Sequence, residues 1–320
     1  MGSQMNFSLI ILLLVISISQ SGNALDTNYY DQTCPNAEFI IDKVVREAAN
    51  KDPKVPARLL RMFFHDCFIR GCDASVLLDS NTTNQAEKDG PPNISLAAFG
   101  VIDNAKAKLE ASCPGTVSCA DILAIVARDV VVLSGGPDWN VYKGRKDGRT
   151  SRANETVNLP GPFFNTSQLI QSFSQRGLTE KDLVTLSGGH TLGFSHCSSF
   201  SGRLRNFSPE NDSDPTLDPR FASNLKSKCP INNKDRNAGQ FLDSTSAVFD
   251  NDYFVRVVKG EGVFISDQSL ISDKRTGPIV EAFARNQTLF FKEFVHSMVK
   301  LGSVGVNENG EVRRSCRVVN

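Results

Sequence analysis

The sequence predicts a mostly α-helical protein with very little β structure, folded as one domain of two lobes around a cleft. Apolar residues recur at helical spacing in most segments, whereas the alternation that is typical of strands is rare. No Pro- or Ser-rich linker and no internal repeat divides the chain, and its 320 residues include enough apolar side chains for one large core.

The predicted helices have recognisable start and stop residues. Pro35 precedes the first helix, and Ser118 is a typical N-cap for the fourth, which has Asp121 in its first turn. The Gly-Gly-Pro run at residues 135–137 then ends that helix. Only residues 139–142 have the pattern of a short strand. The helices are predicted at residues 36–51, 55–68, 101–111, 118–133, 167–176, 179–187, 221–228, 250–259, 276–286 and 288–301.

The N-terminus has the pattern of a secretory signal peptide. An apolar run at residues 9–18 precedes a small-residue cleavage site that ends at Ala24. A membrane anchor is the alternative, but this run is far shorter than the ~20 apolar residues that a spanning helix needs. We therefore expect residues 1–24 to be removed and residues 25–320 to form the mature domain. No other segment is apolar enough to cross a membrane.

Eight cysteines follow the signal segment, and an even number in a secreted chain predicts disulfides. No Cys-x-x-Cys occurs, which disfavours a zinc knuckle, a thioredoxin-type site and covalent haem attachment. Cys67 and Cys72 are close enough to close a local loop. Sequence alone leaves about 105 connectivities open. The cysteines are Cys34, Cys67, Cys72, Cys113, Cys119, Cys197, Cys229 and Cys316.

The net charge and the glycosylation sequons further restrict the possible class of protein. The formal net charge is +0, which argues against a nucleic-acid partner, because such a surface needs a basic stripe. Several Asn-x-Ser/Thr sequons predict a glycoprotein. Asn93 also heads a sequon, but we expect it to be buried. The candidate glycosylation sites are Asn81, Asn154, Asn165, Asn206, Asn211 and Asn286.

The segment from Arg61 to Cys67 is the strongest candidate for a reaction site. In a helix, Arg61 and His65 lie four residues apart on one face, with Phe64 beside them. Asp66 is rotated by about 100° and points elsewhere. One face therefore offers a base, a cation and an apolar wall, and the next face offers an oxygen ligand. This pattern predicts a buried reaction site that a metal supports from behind.

His190 is the second histidine with an informative neighbourhood. It lies in Ser187-Gly188-Gly189-His190-Thr191, where the glycines would let a flat, bulky ligand approach the backbone. A lone histidine near glycines is more often an ordinary turn residue, so this motif alone leaves both interpretations open.

Further motifs occur in a fixed order along the chain. They are Arg61-x-x-Phe64-His65-Asp66-Cys67, Gly71-Cys72-Asp73-Ala74-Ser75, Glu87-Lys88, Asn93, Val117-Ser118-Cys119-Ala120-Asp121, Gly135-Gly136-Pro137-x-Trp139, Ser187-Gly188-Gly189-His190-Thr191, Ser266-Asp267-Gln268 and Cys316-Arg317-Val318-Val319-Asn320. In this order they resemble the secreted plant haem peroxidases (class III). The resemblance covers essentially the whole mature chain.

The resemblance implies a single helical haem-peroxidase domain of two lobes, with one non-covalent haem b between distal and proximal helices. His190 would be the axial ligand of the haem iron. Asp267 would accept the other ring N–H of His190 and make the imidazole more electron-donating. Without the resemblance, Asp267 in Ser-Asp-Gln would be interpreted as a solvated loop acid.

On the other haem face, the resemblance implies three catalytic residues. His65 would take a proton from hydrogen peroxide and return it to the departing oxygen. Asn93 would hold the other ring nitrogen of His65, and Arg61 would stabilise the charge that develops as the O–O bond breaks. Phe64 would line the haem pocket and keep donors from direct oxygen transfer.

The resemblance also implies the substrates and setting. Phenolic donors would each give one electron at the haem edge, and the carbonyl of Pro160 would accept a phenol hydrogen bond. A loop proline without function is the alternative for Pro160. The expected protein is a secreted monomer of the plant cell wall or apoplast, with a role in wall metabolism, lignification or stress response.

Two calcium ions are implied as well, since hard oxygen ligands suit calcium. One site would use the side chains of Asp66, Asp73 and Ser75, the carbonyls of Ile69 and Gly71 on an extended loop, and Glu87 through water. The other would use Thr191, Asp243, Thr245, Val248 and Asp250. Each site adjoins one of the two histidines.

The disulfides implied by the resemblance are Cys34–Cys113, Cys67–Cys72, Cys119–Cys316 and Cys197–Cys229. Closing the long Cys119–Cys316 loop would stabilise the fold by roughly 4–5 kcal/mol in the chain-entropy model. Asp121 and Arg145 match a buried ion pair.

The sequence departs from the family pattern at a few positions. Asp243-Ser244-Thr245 is one residue shorter than usual, which makes Asp243 the least secure calcium ligand. Ser199 stands where a phenylalanine often borders the donor site, and Phe200 follows it.

Two other classes of function compete with the peroxidase hypothesis. A calcium-bound glycoprotein that binds wall polymers would need no haem, but the intact Arg61, His65 and His190 disfavour it, and a Soret band would separate the two. Zinc hydrolysis would require a ligand cluster such as His-Glu-x-x-His, which this sequence does not contain.

Overall fold

The computed structural model describes residues 25–232, 235, 237–306 and 309–320. The predicted signal peptide at residues 1–24 lies outside them. The helices are α1 (Ala37–Lys51), α2 (Val55–Ile69), α3 (Phe99–Ser112), α4 (Cys119–Leu133), α5 (Thr166–Ser174), α6 (Glu180–Ser187), α7 (Pro219–Lys228), α8 (Asp252–Val258), α9 (Ile265–Ser272), α10 (Gly277–Arg285) and α11 (Gln287–Leu301). Strands β1 (Phe194–His196) and β2 (Gly239–Phe241) form an antiparallel ribbon, with Phe194 opposite Phe241.

The prediction of a mostly helical protein with very little β structure is confirmed. Most predicted helices occur within two or three residues of the expected bounds. Ser118 caps α4 as predicted, since its hydroxyl accepts the Asp121 N–H at 3.1 Å. Thr179 caps α6 rather than belonging to it, with a reciprocal bond to Asp182.

Several elements were predicted wrongly, including strands β1 and β2, which were not predicted. Residues 139–142 form no strand; the neighbouring Lys143 makes one isolated bridge with Asp26 instead. Helix α9 was missed altogether. Its buried side chains include Asp267 and Gln268, so its interior face is polar and gives no hydrophobic periodicity for the sequence to reveal.

The helices pack in two groups, which are the two predicted lobes. Helices α1 to α4 contact one another, and α4 is central, because its side chains from Cys119 to Ala127 are all buried. In the second group, α8 packs on α10 and α6 packs on α11. The groups meet where α2 faces residues 188–193. A Cβ on Gly189 would lie 3.7 Å from Leu60, and one on Gly193 would lie 3.6 Å from Ala57.

Four disulfides connect the chain, in the pairing that the resemblance implies: Cys34–Cys113, Cys67–Cys72, Cys119–Cys316 and Cys197–Cys229. Cys119–Cys316 joins the first turn of α4 to the C-terminal segment across 197 residues. Arg145 and Asp121 form the expected buried ion pair at 2.8 Å. The C-terminal segment is thereby held against the same lobe as α2 and α4.

Ala98 provides a test of backbone strain in this fold. It caps α3 with φ of 72°, a left-handed conformation that costs a non-glycine residue roughly 1–2 kcal/mol. Ala98→Gly removes this strain but gives the unfolded chain more freedom, so we expect a net gain of about 0.5–1 kcal/mol. Ala97→Gly is the matched control, because Ala97 has no positive φ, and it should lose stability. Denaturant unfolding with the disulfides intact measures both, and a loss in Ala98→Gly would contradict the strain.

Candidate active site

His65 occupies the buried side of α2 and is fixed by one amide. Its Nδ1 lies 2.6 Å from the Oδ1 of Asn93, and the Nδ2 of Asn93 donates to the Glu87 carbonyl at 2.9 Å. Burial, followed by the charge of Arg61, lowers the pKa of His65 to about 3. His65 is therefore neutral at physiological pH, with Nδ1 protonated toward Asn93 and Nε2 available as a base.

Arg61 is tied to the same turn that carries Asn93. Its guanidinium donates to the Ser95 hydroxyl at 3.0 Å and to the Pro92 carbonyl at 2.9 Å. Desolvation lowers the pKa of Arg61 to about 10, so the group keeps its charge at neutral pH.

Phe64 stacks on Phe68 with ring centroids 4.2 Å apart. Asn93 itself is only 1% exposed, as predicted, so its sequon is inaccessible.

His190 lies in a single 3-10 turn, Gly188–Thr191, directly after α6. Its Nδ1 is 2.8 Å from the Oδ1 of Asp267, a buried carboxylate in the first turn of α9. The same carboxylate accepts the Tyr253 hydroxyl at 3.1 Å and the Phe264 N–H at 3.0 Å. These donors orient the carboxylate of Asp267 toward His190, and its burial shows that the alternative interpretation as a solvated loop acid is wrong.

The first glycine of this turn has a packing role. A Cβ on Gly188 would lie 2.5 Å from the Phe290 ring and 2.8 Å from the Phe254 ring, so the site requires glycine for close approach to the core. Gly189 has more room, with Leu60 at 3.7 Å as its nearest neighbour.

The two imidazoles belong to facing elements and are close enough for their protonated forms to repel each other, which adds to the lowered pKa of His65. Among the described residues, neither Nε2 has a hydrogen-bond partner. The His190 side chain is 40% exposed although Asp267 behind it is buried. A free ring nitrogen on an accessible imidazole, fixed from behind by a carboxylate, fits the axial ligand of a haem iron.

Behind His65, the predicted oxygen ligands surround the loop after α2. Asp66 accepts the N–H groups of Ala74 and Val76 at 2.9 and 3.3 Å. Ser75 donates to Glu87 at 3.1 Å. The loop is not extended as predicted, because Gly71 and Ala74 both have positive φ and Ser75 starts a 3-10 turn. The chain therefore curls around the Asp66 carboxylate, which accepts two of its backbone N–H groups.

This cluster has the chemistry of a cation site. Desolvation first, then repulsion by Asp73, raises the pKa of Asp66. Desolvation and the neighbouring Asp66 and Asp73 raise the pKa of Glu87 to about 9. The buried Oε1 of Glu87 has no hydrogen-bond partner in the described chain. A divalent cation would offset this crowding of acids, and carboxylate, hydroxyl and carbonyl oxygens are ligands that calcium accepts. Ile69 and Gly71 lie at the start of the curl, where the Gly71 carbonyl accepts the Asp73 N–H at 2.8 Å.

A second oxygen cluster adjoins His190. The Thr191 hydroxyl lies 2.6 Å from Asp243, 3.2 Å from Asp250 and 3.5 Å from the Val248 carbonyl. Thr245 reaches Asp250 at 3.1 Å. The structure therefore brings together all five predicted residues, including Asp243 in its shortened motif. Burial raises the pKa of Asp243 to about 6.

These clusters differ from a transition-metal site. Over the residues that the structure describes, no group of three or more His, Cys, Asp and Glu side chains is arranged to hold a metal ion. Both sets instead combine carboxylates with hydroxyl and carbonyl oxygens, which is the mixture that suits calcium.

The loop with Pro160 joins the proximal side. The Pro162 carbonyl accepts the Ser266 N–H at 3.1 Å, which links this loop to the first turn of α9. Pro160 is half-buried. Ser199 stands at the position where a phenylalanine often borders the donor site, and Phe200 follows it. Phe200 is 2% exposed and packs in a small core with Leu204 and Leu225 instead of facing the site.

Sequence reasoning missed several residues that position the site. Ser95 holds Arg61, and Tyr253 and Phe264 hold Asp267. Tyr253 gave a weak signal as one of only four tyrosines in the chain, placed in a predicted helix. The contribution of Phe264 comes from its backbone N–H, for which the sequence has no signal.

A neutral buried base beside an arginine, across from an accessible imidazole held by a buried carboxylate, defines a helical haem-dependent redox enzyme. Residues 41–286 match the family model described as peroxidase. The chain is 64% identical over 315 residues to Peroxidase 66 of Arabidopsis thaliana, covering 98% of both chains. It is 54% identical to Peroxidase 64 and 48% identical to Peroxidase 27 of the same plant, covering 100% and 97% of each chain. The chain belongs to the peroxidase family and is a plant class III haem peroxidase.

Gly148 tests the first oxygen cluster. A Cβ there would lie 2.2 Å from the Asp73 Oδ2. We expect Gly148→Ala to displace Asp73, to cost about 1–3 kcal/mol in unfolding free energy, and to speed the loss of calcium to a chelator. Gly100→Ala in α3 is the control, since nothing lies within 4 Å of its Cβ, and it should gain about 0.5 kcal/mol. Thermal unfolding and metal analysis measure both. Equal behaviour of the two variants would exclude the proposed crowding.

Proposed function

We propose that this peroxidase reduces hydrogen peroxide to water at His65 and Arg61 and takes one electron at a time from phenolic donors. The observation that carries the proposal is the opposed pair of fixed imidazoles, with His65 hydrogen-bonded to an amide and His190 hydrogen-bonded to a carboxylate. His190 would hold one non-covalent haem b between them, and this group would supply the two electrons that reduce hydrogen peroxide and would recover them one at a time from the donors.

His65 moves the proton in this proposal. Its Nε2 is unprotonated, so it takes a proton from one peroxide oxygen and returns it to the other, which leaves as water. Asn93 keeps the Nδ1 proton in place and therefore keeps Nε2 basic. The fixed charge of Arg61 stabilises the negative charge that develops on the departing oxygen. Phe64 shields this space from donors.

Asp267 has the complementary role. As an anion that accepts from His190, it increases the electron density of the imidazole and favours oxidised iron. Tyr253 donates to the same oxygen, so the carboxylate is held without a charged partner of its own. The acceptors behind the two histidines thus differ in charge, which suits one ring for proton transfer and the other for electron donation.

Donors would be phenols oxidised near Pro160. The half-buried loop, anchored to α9 through Pro162, gives a fixed carbonyl at this position. Ser199 occupies the position of the family's phenylalanine, and Phe200 is buried away from the donor site. The entrance for donors would therefore have one aromatic side chain fewer than in the family pattern. Roles in cell wall metabolism, lignification or stress response fit phenolic donors.

Two calcium ions would occupy the oxygen clusters behind the histidines. Asp66 and Thr191 each follow a histidine directly in sequence, so the ions would fix both rings. The first ion would use Asp66, Ile69, Gly71, Asp73 and Ser75, with Glu87 through water, and the second would use Thr191, Asp243, Thr245, Val248 and Asp250. We further propose a secreted, glycosylated monomer of the cell wall or apoplast. Among the described residues, no helix is long and apolar enough to cross a bilayer.

His65→Ala tests the proton transfer. We expect haem to stay bound and the rate of reaction with hydrogen peroxide to fall by about 10²–10⁴-fold, because the positioned base is lost. Stopped-flow absorbance after mixing with peroxide measures this rate. His296→Ala, at an exposed histidine of α11, should react like the wild type. A near-normal rate in His65→Ala would reject the assigned role.

Calcium removal tests the support behind the histidines. Without cations, the buried acids Asp66, Asp73 and Glu87 beside His65 repel one another or take up protons, and either change disturbs the oxygen cluster. We therefore expect strong chelation to lower turnover while all disulfides remain closed. Turnover, bound calcium by elemental analysis and free thiols are measured on the same samples. Added calcium should restore activity. Full turnover in calcium-free protein would argue against this support.

A further inference from the structure

We propose that Arg203 is a positioning residue of the proximal site, which sets the hydrogen bond between His190 and Asp267 through residues 262–264. The inference rests on the proposed role of His190 as the iron ligand and deepens it. Arg203 ends a short 3-10 turn, Ser201–Arg203, and its side chain donates to Asp214, to Thr216 and to the carbonyls of Gly262 and Val263.

Arg203 is a buried cation with most of its donors used. The residue is 2% exposed, and its Nε donates to Asp214 at 2.8 Å. Its Nη1 donates to the carbonyls of Gly262 and Val263 at 2.5 and 2.8 Å. Asp214 anchors the planar guanidinium through Nε, so Nη1 keeps a fixed direction while it donates to two consecutive carbonyls. An ammonium has no second nitrogen for such an anchor.

The segment that Arg203 holds continues directly to Asp267. The Phe264 N–H donates to the Oδ2 of Asp267 at 3.0 Å, and the Phe264 ring lies 5.5 Å from the His190 ring. On the other side, Gln268 accepts the Gly262 N–H at 2.9 Å. The segment has little room, since a Cβ on Gly262 would lie 3.2 Å from the Cβ of Asp267. A shift of residues 262–264 therefore moves the donor that orients the carboxylate.

The two effects of Arg203 on Asp267 have opposite signs. Its hydrogen bonds to the Gly262 and Val263 carbonyls keep the Phe264 N–H directed at Asp267. This orients Oδ1 toward His190 and strengthens the hydrogen bond between His190 and Asp267. Its positive charge, which faces Asp267 across the buried core, makes the carboxylate a weaker acceptor. We expect the hydrogen bonds to the two carbonyls to affect Asp267 more than the charge does, because they act through direct contacts. Their loss also leaves both carbonyls without their donor.

The stretching frequency between iron and the His190 imidazole, measured by resonance Raman on the reduced holoenzyme, reports this hydrogen bond. A weaker bond to Asp267 makes the imidazole less anionic and lowers the frequency. We expect Arg203→Met to lower it. Arg203→Lys should lower it as well, because lysine keeps the charge without the planar fork.

Two further variants complete the design. Asp267→Asn should lower the frequency most, because it removes the anionic acceptor. Arg313→Met is the matched control: Arg313 is also fully buried and its Nη2 holds the Ala74 and Asp73 carbonyls at 2.7 and 3.3 Å, but on the distal side. It should leave the frequency unchanged even if it lowers stability. Asp214→Asn weakens the Nε anchor and the bonds of Asp214 to Thr216 but keeps the guanidinium, so it tests the same idea if Arg203→Met does not fold, and a smaller decrease is expected.

An unchanged frequency in the folded Arg203 and Asp214 variants would overturn the proposal, as would a frequency that rises in Arg203→Met and stays normal in Arg203→Lys. The latter pattern would assign Arg203 an effect of charge alone. An unchanged frequency in Asp267→Asn would instead reject the proposed pairing of His190 with Asp267. Failure of the two proposals is therefore distinguishable.

Discussion

The site depends on one constraint applied twice: the Nδ1 of each histidine is hydrogen-bonded to a buried acceptor on another element. Asn93 holds His65 from the turn after the first oxygen cluster, and Asp267 holds His190 from α9. Each bond fixes a tautomer and a ring direction and leaves Nε2 free. Two facing elements thereby each present an imidazole whose Nε2 has no hydrogen-bond partner in the described chain.

The surrounding structure keeps these acceptors in place. On the distal side, Arg61 is bonded to the Asn93 turn, and the curled loop packs against the C-terminal segment, where Gly71 and Gly305 leave no space for a Cβ. The Cys119–Cys316 disulfide anchors that segment to α4. On the proximal side, Tyr253 and residues 262–264 hold Asp267, with Arg203 behind them. Buried polar networks of this kind are stable only when nearly every donor and acceptor is paired, which links the geometry of the site to the fold.

Much of the fold and site was predictable from sequence because the signals were local. Apolar periodicity located most helices, a Ser-x-x-Asp cap located the start of α4, and helical spacing put Arg61 and His65 on one face. The pairing of His190 with Asp267, 77 residues apart, came only from the resemblance to a family, since no local pattern connects them. Three features were not predictable: helix α9, the curled loop after α2 and the hydrogen bonds of Arg203 to two backbone carbonyls. They depend on buried polar contacts and on backbone atoms, for which residue patterns carry no information.

The most direct test of this account is titration of the haem-free protein with hemin, followed by absorbance and magnetic spectra, in the wild type and in His190→Gln and His65→Gln. The account predicts that the wild type and His65→Gln each take up one equivalent and acquire an axial imidazole. His190→Gln should lack that imidazole signature. Uptake with a normal axial imidazole in His190→Gln, or no uptake by the wild type, would contradict the claim that His190 holds the iron opposite His65.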